Sequence, residues 1–191
     1  LRNRAAYWRR PTSTFIPHAN YGKFMGETRY EQILRFFHLC NNADVKRRGD
    51  AGYDQLHKVR MMITALSETF QRYWSLGPYL ALDESVIAFK GRTTLKQYLP
   101  KKPTKWGFKV YALCDEGGYM HTFDVYVGRT AENDYATKVQ SLVMNLIENA
   151  NVSEARRGIF IDRYYVSPAL ADALASRIIF CVGTVQTNRK G

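Results

Sequence analysis

Two aspartates stand where apolar runs meet polar chain. Asp83 follows the β-prone run Tyr79-Leu80-Ala81-Leu82, before Val86-Ile87-Ala88-Phe89 resumes, and Asp162 ends the run Gly158-Ile159-Phe160-Ile161. An acid embedded in an apolar strand costs free energy unless a metal, a cation or hydrogen bonds compensate it. A basic block comes next. From Val86 to Val110 there is no Asp or Glu, while Lys90, Arg92, Lys96, Lys101, Lys102, Lys105 and Lys109 supply seven positive charges. Tyr98 and Trp106 are interleaved with them, and such rings can stack on bases. A carboxylate, Asp83, upstream of a cationic, aromatic-bearing loop points to a site where a metal ion and a polyanion meet.

Side by side, the two acids would repel one another when ionised unless a counter-charge intervened. A divalent metal relieves that repulsion, and hard oxygen donors suit Mg²⁺ or Mn²⁺. Paired ions of this kind activate an attacking oxygen and stabilise the leaving one in phosphoryl transfer. That chemistry also calls for a third acid, which the chain does not offer. Plainer roles stay open: Asp83 as an N-cap or a salt-bridge partner of Lys90 or Lys109, and Asp162 as a loop cap neutralised by Arg163. The basic block is equally consistent with a solvated loop. His18, His38, His57 and His121 show no metal-ligand spacing and read as structural. Ser85 and Cys114 lack a recognisable base and orienter, which argues against a triad enzyme.

The elements that must position these residues can be read along the chain. Residues 1–26 form a basic, aromatic lead-in. Thr28-Arg29-Tyr30-Glu31 reads as a capping box, opening a helix with Tyr30, Ile33, Leu34 and Phe37 on one face, stopped at Asn41-Asn42-Ala43-Asp44. A second helix spans about Asp54 to Tyr73, striped by Leu56, Val59, Ile63, Leu66, Phe70 and Tyr73, and both stripes read as core. Gly77-Pro78 breaks the pattern, dividing a helical module (1–77) from an α/β module (78–191). The second module begins with the Asp83 strand. Strands at Gly107–Cys114 and Tyr119–Val127 follow, joined by the turn Asp115-Glu116-Gly117-Gly118. A helix from about Asn133 to Glu148 carries Tyr135, Val139, Leu142, Val143, Leu146 and Ile147 on one face. Gly158 to Asp162 has the pattern of a buried parallel strand. Ser167 and Pro168 open a short helix as N-cap and N1, and a last strand covers Ile178–Val185. The order βββαβαβ predicts a ribonuclease H-like mixed sheet, in which Asp83 and Asp162 become neighbours.

Composition bounds the partners. The chain has 191 residues, 46% of them hydrophobic, and a net charge of +11. That balance favours a polyanionic partner, nucleic acid before anionic lipid, although charge that serves only solubility, in a basic structural module, remains an alternative. Cys40, Cys114 and Cys181 form no CxxC pair, so neither a disulfide framework nor a zinc finger is indicated, which fits an intracellular protein. No segment has the apolar length of a membrane span or the form of a signal peptide. A start at Leu1 and an end at Arg189-Lys190-Gly191 read as a piece of something longer.

Several blocks resemble the piggyBac family of DNA transposases and their domesticated relatives. They are Tyr53 to Arg60 (YDQLHKVR), Leu82 to Arg92 (LDESVIAFKGR), Leu95 to Pro103 (LKQYLPKKP), Lys105 to Val110 (KWGFKV), Ile161 to Tyr165 (IDRYY) and Val182 to Gly191 (VGTVQTNRKG). The resemblance runs from about Thr28 to the C-terminus. It implies a ribonuclease H-like catalytic domain, incomplete at the C-terminus and preceded by a helical dimerisation and DNA-binding region. It also implies metal-dependent cut-and-paste transposition in the nucleus: nicking, a hairpin on the transposon end, and strand transfer at TTAA targets, carried out by a homodimer. Asp83 matches the first catalytic aspartate and Asp162 the second, each a ligand of Mg²⁺ (or Mn²⁺). The basic-block residues named above, with Arg189 and Lys190, are the candidate DNA contacts. Two departures stand out. Arg163 follows the second aspartate where the family usually has Asn, which puts a fixed cation beside a metal ligand. By the resemblance the third aspartate lies beyond an insertion that should follow Gly191, and Asp172, on the helix just after Asp162, cannot substitute for it, so this chain alone is expected to be inactive. The competing expectation is a decayed or domesticated derivative that binds DNA or protein without catalysis.

Overall fold

The computed structural model describes Trp8 and residues 21–128, 135–152 and 156–185. Two compact units are present, Leu1–Val59 and Arg60–Gly191.

In the first unit, α1 spans Glu27–Phe36. It starts one residue before the expected capping box. Gly26 is the N-cap, in an extended conformation and without a side-chain cap bond, and Glu27 supplies the negative charge that a helix start favours. The helix also ends earlier than expected. Phe37 is already extended, and the His38 ring donates to the Phe36 carbonyl at 2.7 Å, satisfying an end group that the helix leaves open. A short 3₁₀ turn at Asn42–Asp44 follows, capped by the Asn41 side chain. Trp8 donates its indole N–H to the Met25 carbonyl and packs on the Tyr30 ring.

The second helix, α2, covers His57–Tyr73. Asp54, expected as its start, instead turns the chain into it by accepting from the Leu56 amide at 2.9 Å. The stripes read as core are largely at the surface. No residue of α1 or α2 is buried, and Ile33, Leu34, Phe37, Leu66 and Tyr73 are exposed, whereas Leu56, just before α2, is buried. An amphipathic stripe shows that a helix has an apolar face; it does not supply the surface that covers it.

The Arg60–Gly191 unit is a mixed six-stranded sheet with two helices packed against one face. The strands are β1 (Tyr79–Ala88), β2 (Gln97–Tyr98), β3 (Trp106–Asp115), β4 (Met120–Val125), β5 (Arg157–Ile161) and β6 (Ile179–Gly183). The helices are α3 (Tyr135–Asn149) and α4 (Pro168–Ala175). The spatial order is β2-β3-β1-β5-β6, with β4 also on β3. β1, β3 and β4 form the antiparallel meander, and β5 and β6 continue the sheet in parallel from β1. This is the expected α/β arrangement with one addition, the two-residue β2 inside the basic block. The residue at which the third helix was expected to start, Asn133, lies outside the described residues.

Period-two burial along the strands decides which face is which. Leu80, Leu82, Tyr111, Leu113, Ile159, Ile161 and Ile179 are buried with Val139, Val143, Leu146 and Ile147 of α3 and Leu170 and Leu174 of α4. Ser167 caps α4 by accepting from the Leu170 amide at 3.2 Å, with Pro168 at N1, as its sequence implies. On the opposite face Tyr79, Phe160, Phe180 and Val182 are exposed. β5 is therefore parallel as expected, but buried on one face only. Among the described residues, no helix is long and apolar enough to cross a membrane.

The β3–β4 turn is locked by a buried acid. Asp115 accepts from the Gly117 and Tyr119 amides, both at 2.9 Å, and from the Trp74 indole, while Trp74 stacks on Tyr119. Burial pushes the Asp115 carboxyl up. The Trp74 bond, the two amides and the charge of His121 outweigh it and hold the group below the ordinary carboxylate value. A depressed folded-state value makes ionisation stabilising. That contribution is complete above about pH 4, the unfolded value, and is lost as pH falls through the folded value. Urea midpoints measured across pH should drop below pH 4, and Asp115→Asn should lower the neutral midpoint and flatten that acid limb.

Candidate functional site

The ladder between β1 and β5 sets the central geometry. Its register pairs Ala81 with Phe160 and Leu82 with Ile161. One residue further on stand Asp83 and Asp162, on strands that run about 4.8 Å apart. Both aspartates are exposed. By alternation both belong to the face of Ala81 and Phe160, opposite α3 and α4. The acids that the strand order was expected to bring together are thus neighbours, on the open side of the sheet. Each carboxylate is oriented by the next residue: Asp83 accepts from the Glu84 amide and Asp162 from the Arg163 amide, both at 2.7 Å. Cys114 lies across from Ala81. Burial, then the charges of Asp115 and Asp83, push its thiol up, so the sulfur stays protonated beside the acid pair.

Two adjacent, exposed carboxylates fit a hard dication by donor type. Among the described residues no group of three His, Cys, Asp or Glu side chains is placed to hold a metal.

The basic block lies at the far end of β1. Gly107 pairs with Ala88 of β1 and with Gln97 of β2, so three strand segments converge where the block leaves the sheet. Lys90, Arg92, Lys101 and Lys105 are exposed. Lys96 donates to the Gly91 carbonyl at 2.8 Å and lies 5.5 Å from the Trp106 ring centroid. Tyr98 and Trp106, each about half exposed, have ring centroids 4.6 Å apart. A pocket of about 440 Å³ opens beside them, lined by Ala88, Phe89, Lys90, Lys96, Thr104 and Trp106. Arg189 and Lys190 lie outside the described residues.

Two further candidate lysines, beside Lys96, are engaged within the fold. Lys102 donates to the Glu84 carbonyl at 3.1 Å and sits 3.8 Å from its carboxylate. Lys109 is only partly exposed, over the rings of Tyr111, Tyr164 and Tyr126 at 4.7, 5.2 and 5.9 Å. Burial lowers the Lys109 ammonium from its ordinary value, and Glu84 partly opposes that shift. Glu84 and Tyr165 were not singled out from sequence, although both lie inside the blocks that carried the resemblance. His121 is buried and donates to the Ala150 carbonyl at 3.2 Å, a structural role as expected.

A family model described as Transposase IS4 matches residues 1–191. The human PiggyBac transposable element-derived protein 3 is 28% identical over 168 residues, covering 85% of this chain and 27% of that protein. The chain belongs to the piggyBac family of transposases. The human PiggyBac transposable element-derived protein 2 is 26% identical, covering 84% of this chain and 27% of that protein. Among solved structures, a piggyBac transposase synaptic complex with hairpin DNA superimposes with a TM-score of 0.76 at 26% identity, covering 89% of this chain and 35% of that one. The chain therefore spans about a quarter to a third of these piggyBac relatives. It is a segment of a piggyBac-type transposase core with the ribonuclease H-like fold. Membership of the family implies use of a divalent metal in general terms.

Proposed function

We propose that this segment supplies Asp83 and Asp162 as ligands of Mg²⁺ or Mn²⁺ in a full-length protein that cleaves DNA strands and transfers them to TTAA targets. The observation that supports this reading most is the β1–β5 register, which puts two exposed carboxylates on adjacent strands and on one sheet face. The metal, when bound, would activate the attacking oxygen and stabilise the leaving one. The chain's own groups hold and orient the two carboxylates through the Glu84 and Arg163 amides.

DNA is the substrate in this reading, with Lys90, Arg92, Lys96, Lys101 and Lys105 as phosphate contacts and Tyr98 and Trp106 as stacking rings. Arg189 and Lys190 join the phosphate contacts on the family resemblance. Lys102 and Lys109, engaged with Glu84 and the tyrosine rings, belong to the support of the site. A homodimer, transposon ends as partners and a nuclear location accompany the proposal on the same resemblance. A calorimetric Mn²⁺ titration tests the metal: saturable binding supports the reading, and none at millimolar Mn²⁺ sinks it for this chain.

The basic block has its own test. DNA affinity should fall steeply with salt, and replacing Lys101 and Lys105 together by Gln should reduce the slope of log K against log salt by about 2. Trp106→Ala should weaken single-stranded binding by about 1–3 kcal/mol, the worth of one stacked base. A salt-insensitive, unchanged affinity would rule the block out as a DNA path.

A further inference from the structure

The β1–β5 ladder ends at Leu82 and Ile161, one residue short of both acids, so something beyond the ladder must set the separation of Asp83 and Asp162. The next connection runs through Tyr165. Its amide donates to the Asp162 carbonyl at 2.9 Å, which closes the turn after β5. Its fully buried ring lies on the helix-covered side of the sheet, edge-on to Tyr111. There its hydroxyl donates to the Glu84 carboxylate at 3.0 Å. Glu84 follows Asp83 directly and points to the opposite face. The residue after one acid is thereby tied to the turn that begins at the other. Lys102 closes the arrangement from the basic block, donating to the Glu84 carbonyl at 3.1 Å and facing its carboxylate at 3.8 Å.

We propose that Tyr165 and Glu84, held by Lys102, form a positioning brace that fixes the spacing of Asp83 and Asp162 and couples it to the basic block. The proposal rests on the reading that the two aspartates share a metal, and deepens it by naming what holds them apart at a set distance. Burial, then the charge and hydrogen bond of Glu84, push the Tyr165 phenol well above its ordinary value, so it remains a donor across the physiological range. Outer partners of this kind orient metal ligands, and their loss costs 10- to 100-fold in affinity.

Tyr165→Phe keeps the buried ring and removes only the hydroxyl, which makes it the test. Two readouts are needed: Mn²⁺ affinity by calorimetry, and amide hydrogen exchange at Glu84, Arg163 and Tyr165. The expected result is about a tenfold loss of Mn²⁺ affinity together with faster exchange at those three amides and unchanged exchange across Val110 to Leu113. Glu84→Ala should reproduce both effects. The Tyr165→Phe/Glu84→Ala double variant should be no worse than either alone, because one shared interaction is lost. Glu84→Gln keeps an acceptor for the hydroxyl and should restore the exchange pattern. Unchanged exchange in Tyr165→Phe overturns the brace, whatever the metal does. Faster exchange in a chain that binds no Mn²⁺ leaves the brace standing and removes the metal reading.

Discussion

Asp83→Ala and Asp162→Ala should each abolish saturable Mn²⁺ binding while leaving the metal-free chain as stable as the parent or more so. The first half follows from the register. In the proposed site each acid would supply half of a two-carboxylate donor set on adjacent strands, and a hard dication is held poorly by one carboxylate and water. The second half follows from like charge. Two ionised carboxylates at one level of neighbouring strands repel without a counter-ion, so removing either relieves the metal-free fold. The sign of the stability change separates this from the plainer roles that the sequence leaves open. An aspartate serving mainly as a salt-bridge partner or a loop cap would lower the melting temperature when truncated. Calorimetry and thermal unfolding of the same three proteins give both readouts, and intact binding in either variant would refute a shared site. Arg163→Asn removes a fixed cation next to Asp162 and should tighten Mn²⁺ binding.

The second large effect is expected at Gly107→Ala. A Cβ at Gly107 would stand 2.1 Å from the Ile87 carbonyl oxygen, 2.8 Å from its carbon and 2.9 Å from a Val86 methyl. The nearest of these atoms is backbone in a paired strand, so no side-chain rotation relieves the contact. The cost should reach the upper end of overpacking penalties, about 3 kcal/mol. It falls where β1, β2 and β3 converge, so the basic block should lose its anchorage and DNA affinity should fall with stability. Mn²⁺ binding should survive in the folded fraction, since Asp83 pairs with Ala112, five residues along β1 from Ala88. Denaturant unfolding and parallel DNA and Mn²⁺ titrations check this. A variant as stable as the parent would contradict the close strand approach at this glycine.

Those two sites show what one-dimensional information carries and where it stops. Asp83 and Asp162 are legible because an acid that ends an apolar run is costly and therefore conspicuous, and because the βββαβαβ order places their strands together. Ser167-Pro168 is legible for a local reason, since a cap and an N1 proline act within one turn. The Thr28 capping box failed on the same local logic: helix ends are decided by small differences, and Gly26 with Glu27 won. The helical stripes announced apolar faces on α1 and α2, but burial depends on what a fold lays over them, and there most of the stripe residues are not buried. Gly107 appeared as one letter of a resembling block and as the start of a strand; its need for hydrogen in place of a side chain comes from the Ile87 carbonyl opposite. Glu84 and Tyr165 were equally silent, and Lys102 was read only as a DNA contact, because the value of all three lies in contacts between residues 18 and 81 positions apart. By itself the sequence determined the family, the order of elements and the two acids, each a matter of local pattern and residue chemistry. Only the tertiary structure decided the face on which those acids stand and the groups that brace them, because both follow from strand register and from side chains meeting across the sheet.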